Sequence, residues 1–356
     1  MIGDAVVIDG VAHGLDLFGE NRRNPKICSL FEKFIYDGAH LMAVPHDEPQ
    51  WVLGEERFRA GAMGDPDVMS SAFFRESWTD AISFHGVPMF GLYKEGMSPL
   101  RIGRELRRRH PGRVLLYGPV SPFEPNVLEE IDRLVEEDEV DALKLYPADF
   151  YGDEIKHYRM DDRELIYPLL ERARERGIKV IAIHKALPLG PSPTMPFRVE
   201  DLDAAVYDFP DLSFEIVHGG FAFLDETVFQ TARFPNVYVN LEITSALLAK
   251  SPRRFMEILG AFMQAGATDR VIWGTGCANV HPQPLLERFW ELSFPQDVEE
   301  RFGVVGPDEA TKRAVLAGNF ARLHGLDLAA LAAGSETRRR GDDLAAPWSG
   351  DRVEVG

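Results

Sequence analysis

The sequence predicts a (β/α)8 barrel, on three observations. The chain has 356 residues, enough for one α/β barrel with insertions. Eight short apolar runs alternate with stretches of helical periodicity, and no internal repeat interrupts them. Several of those runs end in a histidine and a turn. Two lie close together, Ile178-Lys-Val-Ile-Ala-Ile-His184 and Leu212-Ser-Phe-Glu-Ile-Val-His218, the second followed by Gly219-Gly220. In such a barrel the active site sits where strands end and βα loops begin, so these histidines would share one mouth. One buried histidine is usually structural. Two at the same point of consecutive strand units point to a site, and to metal first, because neutral imidazole is a common metal ligand.

Residues 5–9 read as the first strand, with His13 close behind. Residues 19–75 are rich in Gly, Pro and charge and read as an insertion covering the barrel mouth, with a helix at 68–75. Further strands are expected at 80–84, ending in His85-Gly86, at 113–118, and at 141–145, ending in Tyr146-Pro147. After the pair at 178–184 and 212–218 come 237–241, followed by Glu242, and 270–273, followed by Gly274-Thr-Gly-Cys-Ala-Asn-Val-His281-Pro282. Helices are expected at 99–110, 125–138, 161–176, 199–209, 225–234 and 252–265; Gly177 stops the third of them. Helices at 307–324 and 327–333 close a single domain, 1–334, and the polar residues 335–356 are expected to form a flexible tail.

Acidic residues outnumber basic ones 57 to 39, for a net charge of −18, which disfavours a nucleic-acid partner. No run is apolar enough to span a membrane, and the N-terminus lacks the basic and apolar regions of a signal peptide. Cys28 and Cys277 offer no disulfide framework, so a cytoplasmic location is expected. No strand–GxGxxG–helix unit marks a nicotinamide or flavin site.

Seven ionisable residues stand at strand ends: His13, His85, Lys144, His184, His218, Glu242 and His281. Five of the ten histidines are among them, which random placement would not favour. Strand alternation turns Glu242 inward with Asn240 and Tyr238, and a buried carboxylate there needs metal, Lys144 or an imidazole as partner. Glu215, three residues before His218, falls by the same alternation on the helix-facing side, as a structural ion pair. Lys144 is read as a charge stabiliser for substrate or a partner of Glu242, with carbamylation into a metal ligand the other option. Trp51, Phe58, Met63, Met69, Phe73 and Phe74 of the insertion either line the mouth, which would select an apolar substrate, or pack its own core.

At these residues the chain resembles the amidohydrolase-related family, in its amidohydrolase 2 branch. The resemblance runs from about Val6 to His324. It is strongest in Lys144-Leu-Tyr-Pro147, Ile183-His-Lys185, Phe209-Pro-Asp-Leu-Ser-Phe-Glu-Ile-Val-His-Gly-Gly220 and Phe234-Pro-Asn-Val-Tyr238. Family members hold metal on a first-strand Asp-x-His-x-His, on histidines ending strands five and six, and on an Asp after strand eight. His13, His184 and His218 match that pattern, but Val11 replaces the first histidine and Gly276, in Gly274-Thr-Gly276, replaces the Asp. In hydrolases of this fold the Asp orients or deprotonates a water, so its loss argues against ordinary hydrolysis.

Glu242 and His281 stand near enough in sequence to replace the lost ligands, giving an expected metal set of His13, His184, His218, Glu242 and His281, with His85 and Lys144 as catalytic groups. A His/Glu set with open positions suits nonheme iron better than closed zinc. The altered set is similar to that of nonheme diiron monooxygenases built on this fold. That likeness implies one or two iron ions, an external electron donor and hydroxylation of an apolar natural-product intermediate, such as a coenzyme A thioester. The alternative is a metal-dependent hydrolase or nonoxidative decarboxylase using zinc or manganese, with His85 or Glu242 moving the proton. A catalytically dead, ligand-binding barrel is the third option, and a homo-oligomer is compatible with each.

Overall fold

The computed structural model describes residues 1–42, 48–277, 280–336 and 344–349. Eight parallel strands form the barrel: β1 (Ile8–Ala12), β2 (Ala81–His85), β3 (Val114–Val120), β4 (Ala142–Leu145), β7 (Val180–His184), β8 (Ser213–Val217), β9 (Val237–Asn240) and β10 (Val271–Ile272). A separate antiparallel hairpin, β5 (Ala148–Tyr151) with β6 (Glu154–His157), follows β4. The strand order β1-β2-β3-β4-β7-β8-β9-β10 is sequential once the hairpin is set aside, as a right-handed βα barrel requires. Backbone bonds from Gly10 N to Trp273 O (2.9 Å), Gly276 N to Val11 O (3.0 Å) and His13 N to Cys277 O (3.2 Å) join the first strand to the last.

Alternation decides which side chains enter the barrel. Ala81, Tyr117, Ala142, Val180, Ala182, Val217 and Ile272 pack together inside it, while their neighbours Ile82, Leu116, Leu143, Ile181 and Ile216 belong to the larger core shared with the helices. The inward parity that places Ala81, Ala142 and Ala182 also places His85, Lys144 and His184, each buried, at or near the strands' C-terminal ends.

Four features differ from the sequence reading. The 19–75 segment contains an 18-residue helix, α1 (Pro25–Met42), besides the expected helix near its end, Pro66–Phe74. The helix expected at 307–324 is broken by a π-type turn at Ala314–Gly318. Glu215 faces the barrel interior, because His218 has φ +68° and its left-handed turn ends the alternation from which the helix-facing assignment was drawn. The described part of the C-terminal segment, residues 344–349, is docked rather than loose: Trp348 is buried, its N–H donates to Glu76 Oε2 (2.7 Å), and Ala345 N donates to Arg75 O (3.1 Å). The remainder of the expected tail beyond Glu336 lies outside the described residues. No described helix is long and apolar enough to cross a membrane.

Candidate active site

Four of the expected site residues converge at the C-terminal ends of the strands. His184 ends β7, His218 follows β8, Glu242 follows β9 and His13 follows β1, and all four line one pocket. The two central imidazoles face each other, with His218 Nε2 2.8 Å from His184 Nδ1. The other nitrogen of each is already directed at a backbone carbonyl: His184 Nε2 at Leu187 O (2.8 Å), and His218 Nδ1 at Glu242 O (3.3 Å). His13 repeats the pattern, with Nδ1 3.0 Å from His85 O. A neutral imidazole that donates to a carbonyl through one nitrogen presents a lone pair at the other. His184 Nδ1 and His218 Nε2 thus meet at hydrogen-bond distance, a place that a proton or a cation between them would occupy.

Glu242 explains the missing Asp. A Cβ on Gly276 would lie 2.0 Å from Glu242 Oε1 and 2.7 Å from its Cδ, so the Glu242 carboxyl fills the space that a side chain at 276 would enter. Gly276 has φ +67°, which glycine adopts without strain. Asn240 ties the backbone at Glu242 to Glu215 below it: its Oδ1 accepts from Glu242 N (2.9 Å), and its Nδ2 donates to Glu215 Oε1 (2.8 Å). Glu242 Oε2 makes a close ion-pair contact with His218 Nδ1, at an angle that forms no hydrogen bond.

Charge in the site follows from burial. Burial opposes ionisation of Glu242, but His218, His13 and Lys144 together hold its carboxyl below the ordinary range. Burial pushes His13 down to about 4, aided by Lys144 and opposed by Glu242. His184 is also pushed well down, by burial and then by His218 and Lys144. Both therefore stay neutral near pH 7, the state in which imidazole ligates metal. Lys144 is fully buried with no hydrogen-bond partner for its Nζ; burial lowers it, against the pull of Glu242 and Glu215. Burial likewise raises Glu215, which accepts from Tyr117 Oη (3.0 Å).

The donor set fits a single divalent cation. Two nitrogen ligands at about 2.0–2.1 Å from a metal lie roughly 2.9–3.4 Å apart, so the two facing nitrogens need part by only some tenths of an ångström. Each imidazole already has the carbonyl partner on its far nitrogen that fixes metal-ligating histidines. Among the described residues no three such groups yet stand at ligand distance from one point. Glu242 Oε2, buried and without a hydrogen bond, is the carboxylate within reach.

His281 is not part of this cluster. Its Nε2 pairs with Glu76 Oε2 (3.1 Å), its Nδ1 accepts from Gln283 N (3.3 Å), and its ring is wedged between Trp51 and Trp348, so both nitrogens are in use. His85 lies deeper, stacked on Tyr117 at 3.9 Å, with neither ring nitrogen hydrogen-bonded. It touches the site through the edge of His13 and through its own carbonyl.

The pocket above the cluster encloses about 90 Å³. Leu15, Met97, Leu187, Leu189, Ile243 and Val280 form its wall. Phe34, Ile35 and Gly38 of α1 form part of its lining, and Tyr146 packs 4.0 Å from the His184 ring. The aromatic and methionine side chains singled out in the insertion do not line it. Phe58, Met63, Met69, Phe73 and Phe74 sit in the core, and Trp51 packs on His281. Sequence reasoning turned Asn240 inward but gave it no role, and it missed Tyr146 and the α1 residues as parts of the pocket.

Residues 97–326 match the model of the Amidohydrolase family, in its Amidohydro_2 division. The chain belongs to that family. Among solved structures it is similar to an uncharacterized TIM-barrel protein from Bordetella bronchiseptica, with 18% identity, 92% of this chain and 99% of that one covered, and a TM-score of 0.60. It is also similar to 5-carboxyvanillate decarboxylase from Novosphingobium aromaticivorans with bound manganese, with 14% identity, 90% and 97% covered, and a TM-score of 0.55. A dihydroxybenzoic acid decarboxylase from Polaromonas, also with bound manganese, gives 14% identity, 92% and 98% covered, and a TM-score of 0.52. At these identities the likeness is one of fold. No curated relative matches the chain.

Proposed function

We propose that this protein is a metal-dependent, nonoxidative decarboxylase of a small carboxylic acid, with His13, His184, His218 and Glu242 as the groups that hold the cation. The observation that carries the reading is the close approach of His184 Nδ1 and His218 Nε2, 2.8 Å apart, beside a Glu242 carboxylate that takes the room of the missing Asp. A divalent cation held there would supply Lewis-acid polarisation of the substrate carboxylate.

The chain's own groups do the rest. The apolar wall and α1 exclude water, and a low-dielectric pocket favours a step in which a carboxylate becomes neutral carbon dioxide. The C–C bond to the carboxyl breaks, and its electron pair stays on the ring or chain carbon. Glu242, reprotonated from solvent before substrate closes the pocket, delivers its proton to that carbon, so the pair ends in a new C–H bond and Glu242 is left as the carboxylate. Lys144, buried below and electrostatically linked to Glu242, steadies the carboxylate charge between the two transfers. The manganese decarboxylases named above are consistent with this chemistry on this fold.

The finer resemblance, to the diiron monooxygenase of platensimycin and platencin biosynthesis, has less support. Diiron carboxylate sites bring several carboxylates to two ions. Here, among the described residues, Glu242 is the one carboxylate lining the pocket, and Asp9 is committed to Thr275 through Thr275 Oγ1 (2.5 Å) and N (3.0 Å). Metal analysis of protein grown with equal manganese, zinc and iron, joined to a screen for carbon dioxide release from aromatic and alicyclic acids, separates the readings. One manganese or zinc per chain, with release that needs no oxygen, is expected. Bound iron with oxygen consumption would overturn the proposal.

A further inference from the structure

We infer that the substrate is a monocarboxylic acid whose body is hydrocarbon, and that a second anionic group on that body is rejected. This rests on the metal-dependent reading above and deepens it. Among the described residues, the ionisable side chains lining the pocket are His13, His184, His218 and Glu242, in the cluster at its floor, and Tyr146, whose buried hydroxyl stays neutral. No described lysine or arginine lines it. The six wall residues are Leu15, Met97, Leu187, Leu189, Ile243 and Val280, four of them 7% exposed or less and none carrying a hydrogen-bonding side chain. Tyr146 stands beside His184 at the floor, so an anion placed against the six apolar wall residues would lose its water and gain no charged partner, an unfavourable burial for a ligand.

The floor supports the same limit. Lys144 and Glu215 are both buried beneath the cluster, and their opposite charges offset one another there. A divalent cation held by the cluster together with Glu242 would leave one net positive charge facing the pocket. One carboxylate neutralises it, and a second leaves an excess negative charge in apolar surroundings. Phe34, 39% exposed on α1, carries the apolar lining out to the surface, so a longer hydrocarbon body has a route outward.

The test compares three para-substituted benzoates of nearly the same shape by titration calorimetry on manganese-loaded, full-length protein. In 4-methylbenzoate the distal group is apolar, in 4-nitrobenzoate it is polar and uncharged, and in terephthalate it is a second carboxylate. Terephthalate is expected to bind at least tenfold more weakly than either of the others. Terephthalate within tenfold of 4-methylbenzoate, 4-nitrobenzoate as weak as terephthalate, or no binding of 4-methylbenzoate would each overturn the inference. The same titration on metal-stripped protein tests the underlying reading separately. If 4-methylbenzoate binds equally well without manganese, the metal-held carboxylate fails, whereas the ratio between the probes still decides the substrate class.

Discussion

Gly276→Asp restores the side chain that the family pattern has after strand eight, and this structure says it should fail alone. The new Cβ would meet Glu242 Oε1 at 2.0 Å and Cγ at 2.9 Å, on a residue with φ +67°. A left-handed conformation costs a non-glycine residue about 1–2 kcal/mol, and overpacking a closed site typically costs about 1–3 kcal/mol. The single variant should therefore lose roughly 2–5 kcal/mol of stability. Glu242→Ala removes the clashing carboxyl but leaves His218 and Lys144 without their anion, a loss of about 2–4 kcal/mol. In the double variant the new Asp has room and supplies the missing charge, so only the backbone term should persist. The coupling energy between the two positions should then be about 2 kcal/mol or more in the favourable direction. Urea unfolding of the wild type, the two singles and the double measures it, and manganese calorimetry on the same four proteins asks whether affinity returns. Effects that add to within about 0.5 kcal/mol, the usual behaviour of independent sites, would refute the idea that Glu242 occupies the place of the lost Asp.

Two further outcomes concern charge away from the metal cluster. Burial opposes ionisation of Glu76, but hydrogen bonds from His281, Ser71 and Ser349 outweigh it and hold the carboxyl down at about 2. Its contribution is thus present above the ordinary carboxylate range and lost as pH falls toward 2. Glu76→Gln should cost about 1–3 kcal/mol at pH 7, flatten acid unfolding between pH 4.5 and 2, and raise amide exchange around His281 and Trp348; unchanged exchange there would show that the tail is held by something else. Burial raises Asp9 to about 7, against hydrogen bonds from Thr275 and Val11. Its folded state therefore binds the extra proton, and stability from this group is lost as pH rises from about 4 through 7. Asp9→Asn should gain stability relative to wild type by at least about 1 kcal/mol between pH 4 and pH 8. A pH-independent difference in chemical denaturation would contradict that assignment.

Much of the barrel was legible because inward positions on a strand keep one parity. Parity turned Asn240 and Glu242 inward, and the strand ends alone marked His85, Lys144 and His184, which the structure buries at or near those ends. It failed for Glu215 because His218 leaves the extended backbone, and a left-handed residue is invisible to an alternation rule. Helix α1 was readable in the spacing of Cys28, Phe31 and Ile35, but the surrounding Gly, Pro and charge masked it. The β5–β6 hairpin had a Gly152-Asp153 turn between two short runs, a signal for a tight hairpin that was passed over. His281 could not have been placed by local reasoning. Its partner Glu76 lies 205 residues away in sequence, and Trp348, which packs against it, belongs to a segment whose composition reads as loose.

The left-handed positions show how the fold aims these groups. Four neighbouring strand ends each carry one: Ala186 after β7, His218 after β8, Ile243 after β9 and Gly276 after β10, with φ values of 58°, 68°, 60° and 67°. Three of the four are not glycine, and such residues typically cost about 1–3 kcal/mol each. The strand bodies beneath them pair in regular parallel register, so this strain is borne at the mouth. At His218 the turn leaves Glu215 and Val217 inside the barrel while the imidazole still reaches the pocket. At Ile243 it follows directly on Glu242, so the chain turns away just after the carboxylate has been set over position 276. Gly276 alone adopts the conformation freely, and because it has no Cβ, the same choice of residue that removes strain there makes room for Glu242. The missing Asp and the extra Glu are thus two halves of one arrangement, in which the carboxylate has moved from the last strand to the one beside it.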